Sequence, residues 1–209
     1  YVQVDPAVYE MIDFAKTYSE KSQGAWDITT GVITDLWGIG TDNQRIPSDE
    51  EIAAAESLVN YKDILLRPED HSVKLAKAGM SIDLGGIAKG YAVDEVRAIF
   101  AKHHIENGLI NLGASSMYAL GSNAKGGPWR IGIKHPRNDD KDTYLGIVAV
   151  SNENISTSGD YERFFEENGV RYHHIFDPKT GRPARSGVMS DSVLVDSSIE
   201  HGGMLGDML

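Results

Sequence analysis

Apolar residues recur at helical spacing from residue 5 to 23, where Val8, Met11, Ile12 and Ala15 share one side and Asp5-Pro6 supplies a start signal. Gly24 ends that pattern. The next stretch, GAWDITTGVITDLWGIG at 24–40, places four glycines around a short apolar run and predicts a loop, a short helix and a turn. Ser48 with Glu51 reads as a capping box that opens a helix over 49–58. Strand-like pieces follow at Asp63 to Leu66, Val73 to Leu75 and Met80 to Leu84, and Gly85-Gly86 breaks them off. A helix then runs from Ala88 to His103, with Val93, Val96, Ile99 and Phe100 as its apolar stripe.

The second half is mostly strand. Strands are predicted at 108–112, 116–120, 129–134, 144–151, 154–157, 171–176 and 188–195. Turn signals separate them: Gly121-Ser122-Asn123, Lys125-Gly126-Gly127-Pro128 and Lys179-Thr180-Gly181-Arg182-Pro183. A last helix begins near Ile199, and no internal repeat, linker or low-complexity segment interrupts the chain. Helices before and within a strand-rich half predict an α+β fold, not a βαβ array: a mixed, largely antiparallel sheet with flanking helices.

Composition narrows the function classes. The 209 residues amount to one domain, or one plus a small lobe, at roughly 100–200 residues per domain. Apolar runs such as Ile147 to Val150 fall far short of the roughly 20 residues that cross a bilayer. Tyr-Val-Gln-Val-Asp at the start has neither a basic nor an apolar leader region, so neither a span nor a signal peptide is expected in this sequence. Lys and Arg number 20 against 31 Asp and Glu, a net charge of −11, which argues against a nucleic-acid surface but leaves room for one phosphorylated ligand. Cysteine is absent, which excludes disulfides, a thiolate nucleophile and a thiolate zinc site. The redox compartment stays open.

Four segments carry candidate chemistry. Ser81-Ile82-Asp83-Leu84-Gly85-Gly86-Ile87-Ala88-Lys89-Gly90 reads as strand, glycine turn and helix start, where free N–H groups suit an anion. A cation at a helix N-terminus opposes the macrodipole, so Lys89 reads as ligand-facing; a plain turn with a surface Lys is the alternative. The Walker A pattern is not matched. His173-His174-Ile175-Phe176-Asp177-Pro178 predicts two adjacent His on opposite faces of a strand, so at most one faces a given cleft. Ser156-Thr157-Ser158-Gly159 offers hydroxyls that either bind phosphate or cap a turn, and without a G-x-S-x-G elbow a serine hydrolase is discounted. Asp207 lies near the end of the last helix; a hard cation such as Mg²⁺ takes oxygens of this kind, although one Asp is equally a solvated helix residue. Trp26, Trp37, Trp129 and Tyr161 could stack on a flavin or adenine ring, or pack in the core.

In order, these segments resemble the FAD:protein FMN transferases, the ApbE-type flavin transferases once labelled thiamine-biosynthesis lipoproteins. The resemblance rests on GAWDITTGVITDLWGIG at 24–40, SIDLGGIAKGYAVD at 81–94, GLINLGASSMYALG at 108–121, PWRIGIKHP at 128–136, STSGDYERF at 156–164 and HHIFDPKTGRPA at 173–184. It implies a single ApbE-like domain over 1–209. It further implies Mg²⁺-dependent cleavage of FAD, transfer of FMN to a Thr hydroxyl of a target flavoprotein, and release of AMP. The implied acceptor is a flavoprotein subunit of a membrane electron-transfer complex, and the implied setting is bacterial, extracytoplasmic and lipid-anchored. Some members hydrolyse FAD to FMN and AMP, so a Mg²⁺-dependent FAD pyrophosphatase is one alternative and a flavin-binding protein without turnover another.

Position by position, Ala25, Trp26 and Asp27 match the family's first FAD-contacting segment, and Asp83 an acidic FAD contact. Lys89 matches the FAD-contacting residue that opens the helix, and Gly86 the place where a backbone carbonyl takes Mg²⁺. His174 and Phe176 fall in the H-x-x-D-P-x-T-G block beside the pyrophosphate, with His174 the candidate base. Asp207, in Gly206-Asp207-Met208-Leu209, matches the Asp of the terminal metal motif. The family has a part before the position of Tyr1 and metal-motif residues beyond that of Leu209, so both are expected to be missing from this sequence. Ser197 to Gly203 is also longer and more polar than the family pattern.

Overall fold

The computed structural model describes residues 1–138 and 143–209. In chain order the elements are β1 (Val2–Gln3), α1 (Pro6–Lys21), α2 (Gly31–Trp37), α3 (Asp49–Glu56), β2 (Ile64–Arg67) and β3 (Ser72–Leu75). Then come α4 (Ala88–Lys102), β4 (Gly108–Leu112), β5 (Ser116–Leu120), β6 (Trp129–Lys134), β7 (Tyr144–Val150) and β8 (Glu153–Gly159). The chain closes with β9 (Phe164–Glu167), β10 (Val170–His173), β11 (Phe176–Asp177), β12 (Arg182–Pro183), β13 (Ser190–Asp196) and α5 (Gly202–Met208). The fold is α+β, as the pattern predicts. Every strand ladder among the described residues is antiparallel, and the one parallel contact is an isolated bridge between Thr30 and Ser81.

Two compact units interleave in sequence: residues 1–84 with 162–187, and residues 85–161 with 188–209. In the first, α1 starts where Asp5 accepts the Ala7 N–H, and it buries Tyr9, Met11, Ile12 and Ala15. Lys16 Nζ reaches the Ile64 carbonyl at 2.7 Å, which ties α1 to the β1-β3-β2 sheet. The capping box at Ser48 and Glu51 is formed in both directions. Ile33, Trp37, Ile39 and Ile52 make a second core, joined by Phe165, Tyr172 and Phe176. Trp37 stacks on Tyr172 with centroids 5.7 Å apart, and its Nε1–H donates to the Gly181 carbonyl at 2.9 Å. Trp37 is therefore core.

The second unit has three layers. A four-stranded sheet, β13-β8-β5-β4, carries α4 and α5 on one face and the β6-β7 hairpin on the other. Side chains alternate across a strand, so Tyr118 meets Val93 and Ile110 on the helix side, while Met117 and Ala119 meet Ile131, Val150 and Ile155 on the hairpin side. Trp129 is fixed by its Nε1–H on the Leu120 carbonyl.

Several boundaries differ from the sequence pattern. Met80 to Leu84 forms no ladder strand: Asp83 N–H donates to the Ile28 carbonyl, and a Cβ on Gly31 would lie 2.8 Å from Ser81 Oγ, so the segment is tied to the 28–31 loop. The predicted strand 171–176 breaks at His174, whose N–H turns to the Arg163 carbonyl. Strand β9 was not predicted; Asn168-Gly169, both with positive φ, form the tight turn that pairs it with β10, and Asn-Gly is the signal for such a hairpin. Ile99 is 51% exposed, so the α4 stripe is Val93, Val96 and Phe100. The last helix begins at Gly202, because Asp196 caps a turn at Ser198 first.

Candidate functional site

Within the first unit, the FAD-binding candidates 25–27 and Asp83 flank one loop, with Asp83 bonded to Ile28 and Thr34. Ala25 is exposed and Trp26 half-buried, at the end of the turn that follows α1. Asp27 is only 7% exposed. Its Oδ1 accepts the Thr29 N–H at 2.8 Å and the Thr29 hydroxyl at 2.7 Å, and its Oδ2 accepts the Tyr61 N–H at 2.8 Å. The Thr29 hydroxyl in turn accepts the Asn60 N–H at 2.8 Å. Asp27 thus pins the loop to the turn at 60–61. Asp83 binds the same loop through its backbone and takes the Thr34 hydroxyl on Oδ2 at 3.0 Å.

The two histidines of the 173–184 block have separate fates. His173 is buried, with Nε2 on the Ala184 carbonyl and Nδ1 accepting the Ile175 N–H. Carbonyls only accept, so Nε2 carries the proton and both ring nitrogens serve the fold. His174 places Nδ1 3.1 Å from the Arg163 carbonyl, so Nδ1–H donates and Nε2 keeps a lone pair. Burial pushes the pKa of His174 down, and the nearby Arg163 and His173 add to that, against the raising effect of its backbone hydrogen bond. The ring is then neutral near pH 7. The Phe176 ring is half-buried and tilted against Trp37, 6.1 Å away.

The second unit gathers Lys89 and Asp207. Gly86 lies exposed in the turn that leads into α4, and Lys89 occupies the first turn of that helix, with its ammonium donating to the Ser115 hydroxyl. Asp207, in the last turn of α5, accepts the Ser116 hydroxyl at 2.5 Å and the Ser156 hydroxyl at 2.9 Å on Oδ1, and the Gly90 N–H at 2.6 Å on Oδ2. Sheet register explains the two hydroxyls: Ser116 and Ser156 are direct cross-strand partners, so both point toward α5. Burial raises the pKa of Asp207, opposed by these donors and by Lys89.

The unit boundary between Leu84 and Gly85 falls inside the SIDLGGIAKG motif. Sequence reasoning named Ser156 as a hydroxyl but missed its carboxylate partner, and it missed Ser116, Gly90 and Thr34. The alternation of β5 and β8 carries the signal for the two serines, but only once their register is known.

Asp207 fits a hard cation. Two hydroxyls and one backbone N–H surround it; Oδ1 already accepts both hydroxyls, whereas Oδ2 accepts only the Gly90 N–H and has lone-pair capacity left for a cation. Among the described residues no three His, Cys, Asp or Glu cluster as a metal site. A cation here would rely on one carboxylate, carbonyl oxygen and substrate oxygens, as Mg²⁺ commonly does.

A family model described as the ApbE family matches residues 1–209. The FAD:protein FMN transferase of Treponema pallidum is 36% identical over 212 aligned positions, covering 95% of this chain and 58% of that protein. The crystal structure of the ApbE protein of Thermotoga maritima superposes with a TM-score of 0.87 at 38% identity, over 99% of this chain and 66% of that one. The apo flavinyl transferase ApbE of Pseudomonas stutzeri gives 0.82 at 30% identity, over 99% and 62%. The chain spans a little under two thirds of the relatives it matches.

Proposed function

The chain belongs to the ApbE family, and on that premise we propose that it moves the FMN half of FAD onto a threonine hydroxyl of an acceptor protein, with Mg²⁺ and with release of AMP. The threonine oxygen forms a bond to the FMN phosphorus, and the bridging bond to AMP breaks with its electron pair leaving on AMP. The hydroxyl proton goes to a base. Such a transfer depends on positioning and charge balance more than on covalent help from the protein.

The observation that supports this reading most is the oxygen cluster at Asp207, beside the first turn of α4 that carries Lys89. Lys89 supplies positive charge for a phosphate oxygen. Asp207 and the Gly86 carbonyl are the candidate holders of Mg²⁺, which when bound neutralises charge on the pyrophosphate. Nε2 of neutral His174 is the candidate proton acceptor, with its ring oriented by the Arg163 carbonyl. Ala25, Trp26, Asp27, Asp83 and Phe176 are assigned to the FAD side, with Asp27 acting through the loop it shapes. The same reading takes a flavoprotein subunit of a membrane electron-transfer complex as acceptor and places the protein outside the cytoplasm, lipid-anchored.

The test is to incubate the full-length protein with FAD and Mg²⁺, with and without an acceptor peptide carrying one Thr. AMP and peptide mass are both followed by mass spectrometry. A peptide heavier by one FMN, with AMP only in its presence, is the expected result; Thr→Ala in the peptide and a chelator each remove it. AMP and free FMN without peptide would make the protein a pyrophosphatase. Bound FAD without AMP would make it a flavin binder.

A further inference from the structure

Helices α4 and α5 hold each other by a reciprocal pair of carboxylates. Asp207 of α5 accepts the Gly90 N–H in the first turn of α4 at 2.6 Å. One turn further along α4, Asp94 accepts the N–H groups of Gly203 and Met204 in the first turn of α5, at 2.9 and 3.0 Å. The helix backbones touch between these clasps: a Cβ on Gly90 would lie 2.2 Å from the Gly203 carbonyl oxygen, and a Cβ on Gly203 would lie 2.4 Å from that of Gly90. His201, the residue before α5, provides no side-chain cap, so Asp94 is what satisfies the Gly203 and Met204 N–H groups at that helix start.

We propose that Asp94 is a positioning residue, whose carboxylate holds Gly203 and Met204 at the start of α5 so that Asp207, three to four residues on, meets Gly90, Ser116 and Ser156 in one fixed place. The inference rests on the reading that Asp207 serves the FAD chemistry. Asp94 itself needs no contact with substrate. Its negative charge suits the positive end of α5. Losing that charge leaves two buried N–H groups sharing one weaker acceptor, and the helix gains freedom to slide along the Gly90–Gly203 contact.

The test compares the full-length protein with D94N by hydrogen exchange and, with FAD and the acceptor peptide present, by the Mg²⁺ dependence of AMP release. Exchange at Gly90, Gly203 and Met204 is expected to speed at least tenfold, while amides of β5 and β8 keep their protection. The Mg²⁺ concentration for half-maximal turnover is expected to rise about 10–100-fold, with the KM for FAD unchanged, as for groups that orient metal-binding side chains. D94E, which keeps the charge, should recover part of both. Unchanged exchange at the three amides, or a KM for FAD that moves with the Mg²⁺ dependence, overturns the proposal. So does a chain that folds with neither substitution, which would make Asp94 a residue of the fold alone. A wild-type protein that releases no AMP would instead overturn the transferase reading, and the exchange data would still decide the role of Asp94.

Discussion

Asp27 in the first unit and Asp207 in the second each accept three hydrogen bonds, yet the donors differ in kind and in origin. Asp27 takes two backbone N–H groups and a hydroxyl, from Thr29 two residues away and from Tyr61 34 residues away. Asp207 takes two hydroxyls and one N–H, from residues 51, 91 and 117 positions away on three different elements. Backbone donors cannot turn away without moving the chain, and the Thr29 hydroxyl is itself held by Asn60. Serine hydroxyls rotate freely to a new partner. Asp27 therefore closes a loop, whereas Asp207 joins two strands and a helix through two hydroxyls and one amide, held back from ionising by its burial. A carboxylate fed mainly by backbone amides, one from its own loop and one from the turn that the loop is pinned to, reads as architecture. One fed by hydroxyls from distant strands reads as a site.

Substitutions can break that contrast. The largest effect is expected for D207A: AMP release falls roughly 10³-fold, the loss typical when one charge-organising group leaves an active site, while the unfolding midpoint falls less than in D27A, because one amide, that of Gly90, is stranded and the two serines can turn to other acceptors. Full turnover by D207A would remove Asp207 from the chemistry. G90A comes next, since its methyl group would press on the Gly203 carbonyl oxygen. A denaturant titration should show a loss of about 3 kcal/mol, and a wild-type midpoint would mean that the helices are not clamped there. D27A follows at about 2 kcal/mol, from two stranded amides in a buried loop. It should cost clearly more stability than D207A, and the reverse order would collapse the distinction between the two carboxylates.

The smallest effect belongs to an exposed carboxylate. The Arg45 guanidinium, helped by the Ser48 N–H, holds Glu51 down at about 2 from its usual 4.5. The folded-state pKa is lowered, so the contribution is complete above pH 4.5 and disappears as pH falls through about 2. E51Q should therefore trail the wild type in thermal midpoint near pH 6 and approach it as pH falls toward 2. A gap that stays constant over that window would mean that charge is not its source.

Much of the fold is legible locally. The start of α1 at Asp5-Pro6, the capping box at Ser48 and Glu51, and the apolar strand segments of β4, β5 and β6 between their turn signals all come from patterns within a few residues, which sequence spacing reports directly. Met80 to Leu84 has a strand-like pattern but no ladder, because its partner is a loop that the pattern does not describe. The hairpin at Asn168-Gly169 carries its signal in those two residues.

Local spacing along the chain is enough to set the class of fold, most of its helices and strands, and which residue types are available for chemistry, since period and capping are local properties of a chain. Tertiary structure alone decided which of them act together. It turned His173 into the core and left Nε2 of His174 available, tied Asp27 into its own loop, and brought Ser116, Ser156 and Gly90 to Asp207. The physical reason is that hydrogen-bond partners far apart in the chain are chosen by strand register and helix contact, and neither leaves a mark on the residues in between.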